Sequence, residues 1–202
     1  FDRAAQEREV LVRAYGEDGP WARQNGGDRA VMREARDLVE NGLVRAAAFH
    51  HTQGQSLKQQ GRLEQAVEEY RAAAQAYAQY LRQFPHSRSA YDLAFNHADA
   101  LYNSLSFEAA ARTYEGVRDD TADDKHRVEA ALSAVISWEG EVTRLQRAGK
   151  LQVPPVLGSK DRKDAGAPAA IPLEPVAASL VRDSDALVDV EPGNPRAPAT
   201  AC

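Results

Sequence analysis

The chain has 202 residues, of which 43% are hydrophobic and 27% are charged, a mixture typical of folded globular proteins rather than disordered ones. Its formal net charge of −5 argues against a protein that binds nucleic acid by neutralising phosphates. The single cysteine, Cys202, excludes an intramolecular disulfide bond and a cysteine-based metal site.

No apolar run approaches the roughly 18 residues of a transmembrane helix, so no membrane span is expected. The chain begins at Phe1 rather than at a methionine, shows no signal-peptide pattern, and ends where a new helix is expected to start. We therefore expect this sequence to be part of a longer protein.

Residues 1–27 are predicted to form a helix and a turn that precede the main body. The helix would run from Arg3 to Tyr15, and the glycines and proline of residues 16–20 would end it. Trp21 follows in a short irregular segment, where we expect its ring to cover the end of a hydrophobic core.

Residues 28–147 are predicted to form the helical core. Asp28 is a suitable N-cap for a long helix that reaches Gln60, with a kink at Asn41-Gly42. Apolar residues recur at intervals of three and four along the rest of this region, which predicts four more helices. These are Glu64–Gln83, Arg88–Ser104 with Ser87 as its cap, Phe107–Arg118 with Ser106 as its cap, and Lys125–Arg147.

The composition changes after residue 147. Residues 148–173 are rich in proline, glycine and alanine and are predicted to form a loop or linker. Residues 174–202 are predicted to contain a further helix, from Pro175 to Val190, and the start of a next repeat. We expect this helix to be the delayed partner of the Lys125–Arg147 helix.

The stretch from Gln53 to Pro85 indicates two helices that meet at Gly61, and a second copy follows 44 residues later. The first copy is marked by Gly54, Leu57, Leu63, Ala66 and Tyr70, and the second by Ala98, Leu101, Phe107, Ala110 and Tyr114. This pattern resembles the tetratricopeptide repeat, a helix–turn–helix unit of about 34 residues. Two features depart from it: Leu105 stands at the turn glycine of the second copy, and the spacing exceeds the usual period.

The resemblance implies an all-α fold of helix–turn–helix repeats stacked as an α-solenoid, with long helices and a Pro/Gly-rich loop before the last helix. In this family the first helix of each pair lines a concave groove in which a protein or peptide partner binds. The corresponding residues of this chain are His51, Gln55, Lys58, Gln59, Asp92, Phe95, Asp99, Tyr102 and Asn103. Two of them, Phe95 and Tyr102, are aromatic residues on a polar face, which favours a binding role.

Motifs for catalysis are not found: the sequence contains no HExxH, GxSxG, P-loop or Rossmann glycine pattern. The adjacent histidines His50 and His51 would point about 100° apart on a helix and could not chelate one ion together. We expect no catalytic residue, no metal and no cofactor. The leading hypothesis is a non-catalytic protein–protein interaction scaffold that belongs to a larger bacterial envelope protein or complex.

Two other hypotheses stay open. One is a helical self-association module that uses the Arg3–Gln60 region or the groove. The other is an accessory domain of an envelope enzyme that processes polysaccharide or peptidoglycan. The long helices and the Phe84–Ser87 connector resemble those of bacterial cell-envelope tetratricopeptide proteins. That likeness implies a periplasmic or outer-membrane-associated location rather than a cytoplasmic one.

Overall fold

The computed structural model describes residues 10, 14–15, 19–151 and 174–195. In this part of the chain it contains seven helices and no strand, which confirms the prediction of an all-α fold. The helices are α1 (Pro20–Asn25), α2 (Arg29–Gln59), α3 (Leu63–Gln83), α4 (Ala90–Asn103), α5 (Phe107–Arg118), α6 (Arg127–Arg147) and α7 (Pro175–Val190). Most of the predicted first helix, most of the predicted loop and the start of a next repeat lie outside the described residues.

Several helix boundaries differ from the prediction. The segment that contains Trp21 forms the short helix α1 instead of an irregular loop. Helix α4 begins at Ala90 rather than at residue 88, and Ser87 does not cap it. The hydroxyl of Ser87 lies 2.6 Å from that of Tyr80 instead, at the end of α3. Helix α2 runs unbroken through residues 41 and 42.

The start of α2 follows the predicted capping. The Asp28 carboxylate accepts hydrogen bonds from the backbone amides of Ala30 (3.0 Å) and Val31 (3.2 Å). These amides belong to the first turn of the helix and have no intrahelical partner. The cap therefore sets the point at which this long helix begins.

Two residues in the left-handed backbone region, Gly61 (φ 73°) and Leu105 (φ 64°), follow the ends of α2 and α4. In each turn the amide of the next residue donates to the carbonyl five residues back, at 2.9 Å in both cases. This bond is typical of a Schellman C-cap, which favours glycine at the left-handed position. Leu105 adopts the same geometry although its Cβ makes it unfavourable by about 1–2 kcal/mol.

A third turn of the same kind ends α6. Gly149 has φ 67°, and the amide of Lys150 donates to the carbonyl of Leu145 at 2.9 Å. The three left-handed residues at 61, 105 and 149 are thus each 44 residues apart. The structure adds a third member to a series of which the sequence indicated two.

The helices pack mainly in chain order. Each of α2 to α6 packs against the helix that follows it, and α1 contacts α2. Helices α2 and α3 run antiparallel, because Glu40 accepts a hydrogen bond from Tyr80 (2.8 Å) while His50 lies 2.7 Å from Glu69. Helix α7 packs against α6, which confirms the prediction that these two are partners.

Two glycines allow neighbouring helices to approach closely. A Cβ at Gly54 of α2 would lie 3.0 Å from the ring of Tyr70 on α3, and a Cβ at Gly140 of α6 would lie 2.9 Å from the ring of Phe107 on α5. Contacts this short are not tolerated without movement of the ring. Glycine therefore fits both places, because an aromatic ring of the neighbouring helix packs against the helix backbone there.

The chain leaves α7 in the way it leaves α3. At the end of α3 the amide of Ser87 donates to the carbonyl of Phe84 (3.2 Å), and after α7 the amide of Asn194 donates to that of Glu191 (3.0 Å). In both cases the residue that ends the helix also donates to the carbonyl four residues back. The helices form three successive hairpins, α2–α3, α4–α5 and α6–α7, and the connector that follows the first hairpin thus recurs after the third.

A buried polar cluster fixes α7 to α5 and α6. The Asp183 side chain of α7 is fully buried and accepts hydrogen bonds from Arg118 of α5 (2.9 Å) and from the indole of Trp138 on α6 (2.6 Å). Glu115 accepts from the same indole (3.0 Å) and from Arg182 (2.7 Å). Buried charges are stable only when paired in this way, so the cluster determines where α7 docks.

Among the described helices, none is both long enough and apolar enough to cross a membrane.

Candidate partner-binding face

Four of the predicted groove residues lie together where α2 ends beside the end of α4. The ammonium group of Lys58 donates to the side-chain oxygen of Asn103 (2.8 Å), so this bond joins the first helix of one hairpin to the first helix of the next. Gln55 and Gln59 are exposed on α2, one helical turn apart. These amides and the ammonium group present hydrogen-bond donors and acceptors to solvent.

Asp99, the next predicted residue, turns towards the core instead. Its carboxylate accepts a hydrogen bond from the hydroxyl of Tyr114 on α5 (2.5 Å). Burial, reinforced by the negative charge of Asp99, raises the pKa of Tyr77 to about 12 and also raises the pKa of Tyr70. Asp99 is therefore a partner of buried tyrosines, and its contribution to a peptide-binding face is smaller than predicted.

Asp92 links α4 to the start of α6. Its carboxylate accepts from the ammonium group of Lys125 (2.8 Å) and lies 2.9 Å from Nε2 of His126. The hydrogen bonds from Lys125 and His126 hold the pKa of the Asp92 carboxyl below its ordinary value. The sequence indicated Asp92 but not its two partners, which lie at the predicted start of the next helix.

The expectation that Phe95 is an exposed aromatic anchor is wrong. Phe95 is buried, with its ring stacked on His126 at 4.3 Å between centroids and set edge-on to Tyr114 at 5.6 Å. Tyr102 is half-buried and lies edge-on to Phe107 at 5.4 Å. Both rings find their contacts inside the chain, so their presence no longer argues for a partner.

His51 is also placed differently from the prediction. It is buried between α2 and α3, edge-on to the rings of Tyr70 (5.5 Å) and Tyr77 (6.0 Å). The hydroxyl of Tyr77 lies 3.4 Å from its Nδ1, and burial lowers the pKa of the imidazole despite the nearby charge of Asp99. His51 is a core histidine and does not line a groove.

The misplacements on α4 share one cause. Every residue of α4 is buried or partly buried, because the helix packs against both α3 and α5 and side chains at its start and end reach α6 and α2. A helix enclosed in this way has no single polar face. The predicted site therefore reduces to Gln55, Lys58, Gln59 and Asn103, with Asp92 at its edge.

Within the described residues, no group of three or more histidine, cysteine, aspartate or glutamate side chains is arranged to hold a metal ion. His97 is half-buried, and burial, together with the charge of Arg82, lowers its pKa to about 4. The imidazole is thus neutral over most of the physiological range and belongs to the packing between helices.

Comparison with known proteins adds no relative: no family model, no curated protein and no solved structure matches this chain.

Proposed function

We propose that the chain is a non-catalytic protein–protein interaction scaffold, built as an α-solenoid similar to tetratricopeptide proteins. The observation that carries the proposal is the recurrence of one turn geometry at residues 61, 105 and 149, together with packing in chain order. Hairpins that contact only their neighbours form an extended stack. Such a stack offers a long surface to a partner, which is how helical repeats usually act.

The proposed partner is a protein segment that binds along the first helices of the hairpins. Gln55 and Gln59 carry exposed amide groups that can pair with an extended peptide backbone. Lys58 adds one positive charge beside them and is held by Asn103, whose own amide donates to the carbonyl of Asp99. Amide groups of this kind orient a peptide without selecting strongly for its side chains. The proposal includes a bacterial envelope location, which is supported by the likeness of the long helices and the Phe84–Ser87 connector to those of envelope tetratricopeptide proteins.

The proposal is tested by site-specific photo-crosslinking in cells that make the protein. A photoreactive residue at Gln55 or Gln59 is expected to give an adduct with the same partner segment, identified by mass spectrometry. The matched control is Gln75, which is exposed on α3, outside the proposed face. Adducts that are equally abundant at Gln75, or that are missing from both positions on α2, would exclude this face as the binding surface.

Self-association is a second candidate, favoured by exposed apolar side chains on α2. The side chain of Leu38 is 51% exposed and that of Val31 is 36% exposed, and apolar surface of this kind is often covered by a second molecule. Sedimentation velocity between about 10 and about 200 µM would then show a dimer that Leu38→Asp abolishes. A parent protein that stays monomeric over this range would remove this candidate.

A further inference from the structure

A hollow lined partly by arginines lies at the end of the α2–α3 pair that is opposite the Gly61 turn. It is formed by the first two turns of α2, the end of α3 and Tyr15, and its volume is about 480 Å³. The residues around it are Tyr15, Gly26, Arg29, Met32, Arg33, Arg36, Val39, Gln83 and Phe84. No predicted groove residue is among them, so the hollow is separate from the face proposed above.

The charge of the hollow is strongly one-sided. Arg29, Arg33 and Arg36 succeed one another at intervals of four and three and therefore lie on one side of α2. Among the described residues, no carboxylate lines the hollow, and neither Arg29 nor Arg33 forms an ion pair. Three guanidinium groups thus converge on one space in a chain whose net charge is −5.

Of the carboxylates at the start of α2, Glu34 and Asp37 are exposed and do not line the hollow, and two others are engaged elsewhere. Asp28 caps the first amides of α2, and Glu40 accepts a hydrogen bond from Tyr80. The side chain that α3 contributes beside the apolar floor is the neutral amide of Gln83. Among the described residues that line the hollow, the three arginines are therefore the only charged side chains.

The arrangement is unfavourable for the helix that carries it. Positive charges in the first turns of a helix oppose its dipole, and like charges four residues apart repel each other. Nothing within the described residues offsets this cost for Arg29 and Arg33. An anionic ligand would offset it, because guanidinium groups bind carboxylates through two parallel hydrogen bonds.

The floor of the hollow is apolar. Val39 and Phe84 are buried, and Met32 is half-buried, while the guanidinium of Arg36 lies 5.4 Å from the centre of the Phe84 ring. The apolar surface that a ligand would cover belongs to Met32, which is half-buried, and to Tyr15, which is 37% exposed. The fit is best for a group that joins carboxylates to one apolar side chain.

We propose that this hollow binds an acidic segment of a partner protein in which carboxylate side chains flank one apolar residue. The inference rests on the proposed scaffold function and specifies the chemical character of the partner segment. The acidic chain as a whole repels extended polyanions such as an anionic membrane or a nucleic acid. A short peptide avoids most of this repulsion, because salt screens the repulsion beyond about 10 Å.

The test uses fluorescence anisotropy with the whole chain and a short capped peptide that has glutamates on both sides of one phenylalanine. We expect saturable binding with a dissociation constant below about 1 mM. Two control peptides replace the glutamates by glutamine or the phenylalanine by serine, and both are expected to bind at least about tenfold more weakly. Vesicles of phosphatidylglycerol serve as a membrane control and are expected not to bind.

The protein variants separate the hollow from general charge effects. Arg29→Gln/Arg33→Gln should weaken peptide binding at least about tenfold, whereas Arg45→Gln, an exposed arginine of α2 outside the hollow, should leave it unchanged. Equal binding by both variants, equal binding of the glutamine peptide, or no saturable binding at all would overturn the inference. Binding of vesicles, but not peptide, through Arg29 and Arg33 would assign the hollow to a membrane surface instead.

The same variants keep this inference distinct from the proposed function. Arg29→Gln/Arg33→Gln should not remove the crosslinked adduct at Gln55, because the hollow and the polar face are at different ends of α2. If the adduct persists while no peptide binds, the proposed scaffold function is retained and the hollow has no ligand of this class. If the peptide binds while no adduct forms at Gln55, the hollow is the binding surface and the polar face is not.

Discussion

Replacement of Gly54 by alanine should destabilise the protein, although alanine is the better helix former. Alanine favours the helix by about 1 kcal/mol. The new Cβ, however, would lie 3.0 Å from two ring atoms of Tyr70, which is itself buried and has His51 on its edge at 5.5 Å. Overpacking of this kind costs about 1–3 kcal/mol. Because the ring is buried, we expect the overpacking cost to exceed the helix-propensity gain, with a net loss of up to about 2 kcal/mol.

The matched control is Gly116→Ala on α5, where nothing lies within 4 Å of the added Cβ. This substitution should stabilise the protein by up to about 1 kcal/mol. The two variants carry the same chemical change in helices of one chain, and urea unfolding followed by circular dichroism measures both. A gain in stability for Gly54→Ala would show that α2 and α3 do not approach as closely as described.

Three further outcomes follow from single residues. Asp183→Ala removes a buried carboxylate that accepts from Arg118 and Trp138, while Arg118 keeps its bonds to Asp119, so it should cost about 1–3 kcal/mol. The exposed Asp185→Ala should change stability by less than about 0.5 kcal/mol, and urea unfolding compares the two variants. Gly61→Ala should cost about 1 kcal/mol or more because φ is positive there, and Gly27→Ala in the same assay should not. The pKa of His97 is about 4 when folded and 6.5 ordinarily, so the unfolded chain binds more protons between these values. As the pH is lowered from 6.5 to 4, the free energy of unfolding should therefore decrease, and it should decrease less steeply in His97→Gln.

The helices could be predicted because their apolar residues recur at three and four positions, and the pairing of α6 with α7 followed from the same pattern. The turn at Leu105 was harder. A leucine in place of glycine argues against a left-handed residue, yet the hydrogen bonds on either side impose that conformation. The third turn at Gly149 was missed because prolines follow it, at Pro154 and Pro155, where the second helix of the earlier hairpins would continue.

The candidate site was less predictable than the fold. Periodicity identifies which residues share a side of a helix but not which neighbour covers that side. Phe95 and His51 were assigned to an open face, whereas partners distant in sequence cover them, His126 for the first and Tyr77 for the second. The arginines of the hollow gave a visible signal in the sequence, three positive charges on one side of α2. Only the structure shows that Phe84, from another helix, completes the apolar floor.

The arginines of the hollow allow a last prediction, in which binding and stability change in opposite directions. Arg29→Gln/Arg33→Gln removes two charges that oppose the dipole of α2 and one repulsive pair, so it should stabilise the protein by about 0.5–1.5 kcal/mol at low salt. The gain should shrink as salt is added, and Arg45→Gln, in the middle of the same helix, should show almost none. Urea unfolding at two salt concentrations measures all three proteins. A loss of stability in the double variant would mean that these arginines hold the fold together, and the argument that they are kept for a ligand would no longer apply.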